Sequence, residues 1–309
     1  MEGNLLLVVE PGYLEWQVEY FLLSLVKFGC LESVEIWVIS PRGLPLKEST
    51  RRFLQKFGAR YVEKNLNPHW GFHPLSNKAF AGKYLEEIGV KGPLLFLDTD
   101  ILVLNSLRPL LSRPAKIQVK TAHHGEIAAA DFTDSFWRPL FELFKIKPNR
   151  AWTTIASGEA QPTLPYYNTG VIATEVTNRL FTRWVESYET LRVGLPELYV
   201  RLQDYGRWPP YHQKSRLQKQ LYHIGQVLFA CTVLKYFSKT QIYELSVAWN
   251  YPLPKHALLG RAQINRLDKI TLLHYHREFR NPLWFTKFEA DPALTTWLVE
   301  TLYGARADT

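Results

Sequence analysis

Apolar positions in the first hundred residues fall alternately into short continuous runs and into stretches with helical spacing. The runs are Leu5 to Val9, Val34 to Ser40, Ala59 to Glu63 and Leu94 to Leu97. Between them, Leu14 to Phe28, Lys47 to Phe57 and Asn77 to Glu87 read as helices. This succession predicts βαβ units and a parallel sheet. Leu94 to Leu97 is apolar at every position, as expected of a central strand covered on both faces, so Asp98 falls at its carboxyl end, where open α/β sheets bind ligands. Beyond Leu110 the rhythm loosens. Strands are expected at Ile117 to Thr121, Tyr167 to Thr174 and Ile270 to His276, and helices at Asp134 to Phe144, Asn178 to Leu191 and His223 to Phe237. Lys147 to Pro165 reads as a functional loop, and Pro292 to Tyr303 as a closing helix with Leu294, Trp297, Leu298 and Leu302 on one face.

Composition narrows this picture only modestly. Hydrophobic residues make up 46% and charged residues 21%, which excludes a disordered or fibrous chain. The apolar pentad Leu5 to Val9 has no basic region before it and stops at Glu10-Pro11-Gly12, short of a signal core or a membrane span. Cys30 and Cys231 offer neither a disulfide framework nor zinc-ligand spacing, so a cytoplasmic setting is expected. The formal charge of +8 favours anionic partners without choosing among them.

The chemistry concentrates in LLFLDTDILVL, Leu94 to Leu104, where two carboxylates interrupt an apolar run. If the chain stays extended through Thr99, Asp98 and Asp100 share a face. At ~4 Å and an effective dielectric of 20, their repulsion is about 4 kcal/mol, and a divalent cation removes it. The bland alternative is a turn cap beside a solvated acid. A phosphatase of the haloacid dehalogenase class also ends a strand in DxDx(T/V), but position 102 is Leu and no GDxxxD pair follows. His274 and His276, in ITLLHYHREFRNPLW, end another apolar strand, and alternation puts both imidazoles on one face. Manganese accepts imidazole beside oxygen ligands.

In their order along the chain, LLFLDTDILVL, YYNTGVIAT and LLHYHREFRNPLW resemble the motifs of GT-A glycosyltransferases, most closely glycosyltransferase family 8 and its relatives. The resemblance runs from Leu5 to about Trp284. It implies an α/β, Rossmann-like single domain with a mixed central sheet, spanning 1–309. Within it, 1–110 would be the nucleotide-binding half, 111–285 the acceptor half and 286–309 a closing C-terminal helix.

The same resemblance implies Asp98, Asp100 and His274 as ligands of Mn2+ or Mg2+, with His276 outside the match. The metal would bridge the phosphates of a UDP-sugar donor. Lys78, Thr99, Tyr13 (against the base) and Glu10 (toward base or ribose) complete the expected nucleotide contacts. Asn168 and Gln226 are expected beside the transferred sugar. Gly225 departs from the pattern, because the family usually carries Asp or Glu before this glutamine. A retaining transfer does without that carboxylate, since the leaving phosphate takes the acceptor proton; an inverting one would recruit Asp131, Glu159 or Asp204.

Arg201 to His223 interleaves cations with aromatics. Trp208 and Tyr211, stiffened by Pro209 and Pro210, are candidates for an acceptor platform, as is Trp70 in another Gly/Pro loop. The expected function is hexose transfer from a nucleotide sugar to a hydroxyl acceptor, which could be a glycan, a lipid or a small molecule. Contact with a membrane or other anionic surface is a further expectation, and nucleic acid is not an expected partner. A non-catalytic glycan- or polyanion-binding protein on the same scaffold is the alternative from a different class. A nucleotidyltransferase lacks support because no Gly-rich phosphate loop follows the first strand.

Overall fold

The computed structural model describes residues 3–28, 34–113, 115–122, 127–155, 162–259, 263–276, 284–289 and 292–302. The alternation of the first hundred residues becomes β1 (Gly3–Val8), α1 (Tyr13–Lys27), β2 (Val34–Ser40), α2 (Glu48–Lys56), β3 (Arg60–Glu63), α3 (Asn77–Glu87) and β4 (Pro93–Leu97). β1 lies between β2 and β4, and all three are parallel. The short β5 (Ile101–Val103) and α4 (Arg108–Ser112) lead into β6 (Ile117–Thr121) and α5 (Trp137–Phe144). The expected loop 147–165 contains a small antiparallel pair, β7 (Thr154–Ile155) and β8 (Pro162–Thr163). Next come β9 (Tyr167–Glu175), α6 (Leu180–Gly194), α7 (Pro196–Gln203), α8 (Arg216–Tyr222), α9 (Ile224–Tyr236) and β10 (Ile242–Glu244). The last elements are β11 (Tyr251–Pro252), β12 (Leu272–His274) and α10 (Pro292–Leu302).

The main sheet runs β10-β6-β9-β4-β1-β2-β3. Its strands β1 to β4 are parallel, as the periodicity of the first hundred residues predicted, and the sheet is mixed, as the family resemblance implied, because β9 enters antiparallel to both β4 and β6. Continuous burial makes the two directions look alike in sequence: β9 is buried at seven of its nine positions, as a parallel strand would be. Strand alternation divides the core. Leu6 and Phe96 face the helices α3, α5, α6 and α9, whereas Leu5, Leu7, Leu95 and Leu97 face α1, α2 and α4.

The run LLFLDTDILVL is not one strand. β4 stops at Leu97, the chain turns through Thr99 and Asp100, and β5 joins a separate sheet of order β11-β12-β5. β5 is antiparallel to β12, with Ile101 directly opposite His274. The Asp98 amide is tied to the Gly170 carbonyl (2.9 Å), while the Asp100 carbonyl accepts from the Tyr275 amide (3.0 Å). The turn therefore spans the two sheets and carries both aspartates.

Candidate active site

Strand order reverses at β1, with β2 on one side and β4 on the other, and a cleft of about 460 Å³ lies where these strands deliver their carboxyl ends. Tyr13, Gln17, Lys78, Asp98, Thr99 and Asp100 line it from the first half of the chain. Asn168, Tyr222, His223, Gln226, Asn250, Lys255, His274 and His276 line it from the second.

The two aspartates have separate partners. Lys78, in the first turn of α3, places its Nζ 2.8 and 2.9 Å from the two carboxylate oxygens of Asp98. Asp100 faces the imidazoles: Oδ1 lies 2.9 Å from His274 Nε2, and Oδ2 lies 3.2 Å from His276 Nδ1. The two rings stack at 3.9 Å. His276 reaches this position through a left-handed backbone (φ 49°), not through strand alternation, since β12 already ends at His274.

Burial alone would raise the Asp100 carboxyl, but the charges and hydrogen bonds of His274 and His276 hold it well below the usual carboxylate range. Burial opposes charge on His274 as well, and Asp100 outweighs it, so this imidazole is raised. His276 is lowered, first by burial and then by the charge of His274.

A hydrogen-bond relay fixes the orientation of His274. The Gly170 amide must donate, and it does so to Asn168 Oδ1 at 2.7 Å. Asn250 Nδ2 donates to the same oxygen at 2.8 Å, which leaves Asn250 Oδ1 to accept from His274 Nδ1 at 2.9 Å. Nδ1 thus carries a proton and Nε2 is turned toward Asp100. That nitrogen either binds a second proton or presents its lone pair to a cation. One ligand atom from each of Asp100, His274 and His276 lies within 4.8 Å of the others, a carboxylate-and-imidazole set that suits a divalent transition metal better than magnesium. These residues fit such an ion.

The remaining expected residues divide. Tyr13 is 39% exposed at the cleft, its ring braced edge-on by Trp16. Gln226 lines the cleft with its Oε1 buried and unpartnered. Thr99 is nearly buried, and its hydroxyl donates to Gln17.

Glu10 does not line the cleft, contrary to expectation. Its carboxylate pairs with Arg42 at 3.0 Å and accepts from Asn77, so it braces β1 against α3. Burial raises its pKa against the pull of Arg42. Trp70 is likewise no acceptor surface: it is wholly buried, with Tyr188 and Tyr199 each 4.9 Å from its ring. Trp208 is half-buried against Tyr205, outside the cleft lining. Tyr211 also lies outside, but it packs on Tyr222 and His223, which do line it. Asp131 and Asp204 are exposed and absent from the cleft, and Glu159 lies outside the described residues. Asn250 and Gln17 went unnoticed in the sequence, where an isolated amide carries no periodic or motif signal.

The missing acid at Gly225 has a packing cause. A Cβ there would sit 2.6 Å from the hydroxyl of the buried Tyr188, and the Gly225 carbonyl accepts from Trp184 Nε1 at 3.0 Å. Tyr188 occupies the space a side chain would need.

Residues 5–205 match the model of the Rhodobacterales glycosyltransferase domain. No curated protein sequence matches the chain. Among solved structures, an active-site mutant of LgtC is similar with a TM-score of 0.51 at 14% identity, over 88% of this chain and 87% of that one. The galactosyltransferase LgtC in complex with donor and acceptor sugar analogues gives 0.49 at 14% identity, over 99% and 95%. Mouse xyloside xylosyltransferase 1, in its apo form, gives 0.46 at 14% identity, over 89% and 98%. The first of these speaks for the fold alone. The family match spans more than half of the chain, and with the mixed seven-stranded sheet it leads to one conclusion: the chain belongs to the Rhodobacterales glycosyltransferase domain family and is a glycosyltransferase of GT-A fold.

Proposed function

We propose that the chain transfers a hexose from a UDP-sugar to a hydroxyl acceptor, with retention and with a divalent metal. The carrying observation is the convergence of Asp100, His274 and His276 beside the Asp98–Lys78 pair in one cleft. A divalent cation bound there would supply Lewis-acid stabilisation of the leaving diphosphate. Asp100, His274 and His276 would hold it, with Asp98 turned to the same side.

Lys78 Nζ adds a fixed positive charge for the phosphates, and Tyr13 offers an exposed ring to the base. The unpartnered Oε1 of Gln226 is a ready acceptor for a sugar hydroxyl, and the Asn168 amide, held by Gly170 and Asn250, lines the same space. Neither of these side chains is a base. A departing phosphate oxygen can take the acceptor proton on the same face of the sugar, which is the retaining course. In this reading 1–110 hold the nucleotide, 111–285 the sugar and acceptor, and 286–309 close the domain. Tyr211 would act on the acceptor side through Tyr222 and His223.

The test is calorimetric titration of UDP with manganese present and absent. Asp100→Ala should lose manganese-dependent binding while keeping the wild-type circular dichroism and melting cooperativity. Unchanged affinity overturns the assignment.

A further inference from the structure

A second cavity, of about 760 Å³, opens on the other side of α8 from the cleft. Arg216, Leu217 and Gln220 of α8 line it, whereas Tyr222 at the end of the same helix and the adjoining His223 line the cleft. Its volume falls within the range of roughly 300–1,000 Å³ usual for small-molecule sites. Most of the wall is apolar, from Phe136, Pro139, Leu195, Pro196 and Leu198. The apolar character continues onto the surface, where Val193, Val200 and Leu217 are 72%, 60% and 41% exposed.

Two polar features stand out in this lining. Gln220 is only 3% exposed, yet its Nε2 has no hydrogen-bond partner, an arrangement native proteins rarely leave unanswered. Arg201 lies exposed at the rim and makes no ion pair among the described residues. The other rim cation, Arg216, is engaged with Asp134 at 2.8 Å, and that carboxylate also accepts from the amides of Phe136 and Trp137. Glu197 is the remaining acid of the lining. With Arg216 held by Asp134, Arg201 is the lining's base that makes no ion pair among the described residues.

We propose that this cavity binds an anionic amphiphile: one apolar chain against the Phe136, Leu195 and Leu198 wall, an ester or hydroxyl oxygen on Gln220 Nε2, and a phosphate-type head at Arg201. The site is distinct from the nucleotide cleft and needs neither metal nor donor. Because α8 is the common wall, a bound chain braces the helix that presents Tyr222 and His223 to the cleft.

The experiment titrates the full chain with dodecyl phosphate below its micellar concentration, without nucleotide or manganese, and reads thermal stabilisation and heat of binding. Dodecyl phosphate should bind saturably, inorganic phosphate should give no shift, and neutral dodecyl maltoside should bind at least tenfold more weakly. Gln220→Leu, which keeps shape but removes the donor, and Arg201→Glu, at an exposed position, should each weaken dodecyl phosphate tenfold or more. Equal binding of inorganic phosphate or of the maltoside overturns the proposal, as does wild-type affinity in both variants. Failure here leaves the transfer reading untouched, since no donor takes part.

Discussion

Gly170 has no side chain because three other groups need its space. A Cβ there would lie 2.8 Å from Asp98 Oδ2, 2.9 Å from Asn168 Oδ1 and 3.3 Å from His274 Cε1. Gly170→Ala should therefore push the Asp98 carboxylate off Lys78 and break the amide relay to His274. The expected cost is about 1–3 kcal/mol of stability from overpacking, with at least tenfold lower transfer activity. Urea unfolding alongside a donor-hydrolysis assay checks both, and wild-type activity would show that the relay is dispensable. Asp100 and His274 were legible as partners through the family resemblance, whereas the pattern alone left His274 and His276 open. Asn250, which orients His274, was not, because its neighbours Trp249 and Tyr251 follow no period. His276 was legible as a residue but not as a geometry: no pattern announces a histidine with φ 49°, a conformation that costs of order 1–3 kcal/mol and persists only where surrounding contacts hold it.

Between elements, the junction of α6 and α9 has one tight point. The Tyr188 hydroxyl is buried without a partner and abuts the Gly225 backbone. Gly225→Ala should destabilise the fold by about 1–3 kcal/mol, and Tyr188→Phe, near neutral by itself, should recover most of that loss. Chemical denaturation of the two single variants and the double variant measures the coupling; additive losses would place the strain elsewhere. Elements such as α2 and α5 were readable because burial follows the helical period, at Thr50 and Leu54 in the first and at Trp137, Leu140, Phe141 and Phe144 in the second. The break inside LLFLDTDILVL was not, since Leu94 to Leu97 and Ile101 to Val103 are all buried and hydropathy cannot mark where one sheet hands over to another. β7 and β8, two residues each, are too short to show any alternation.

For the molecule as a whole, acid should act through His73. It is fully buried next to Tyr205, its Nε2 lies 3.2 Å from the Tyr222 carbonyl, and burial lowers its pKa from 6.5 to about 4. Between those values the unfolded chain binds a proton that the folded chain refuses, so stability rises with pH across the window and falls as pH drops from 6.5 toward 4. The full effect is about 3 kcal/mol. His73→Gln should lower stability at pH 7 yet flatten its decline on acidification, as read from urea midpoints over that range. An unchanged slope would assign the acid sensitivity to other groups. Among the described residues, no helix is long and apolar enough to cross a membrane.

The short link from Leu97 to Ile101 is fastened at one end to the seven-stranded sheet and at the other to the three-stranded one. Its two acids are thus spaced by main chain anchored in separate bodies, and they do not depend on each other for position. Such a hinge pin keeps its shape whether or not any charge is seated on it. On the proposed reading, a cation could leave and return without the pocket being rebuilt, because this segment is ordered once, during folding, and not again at every turnover.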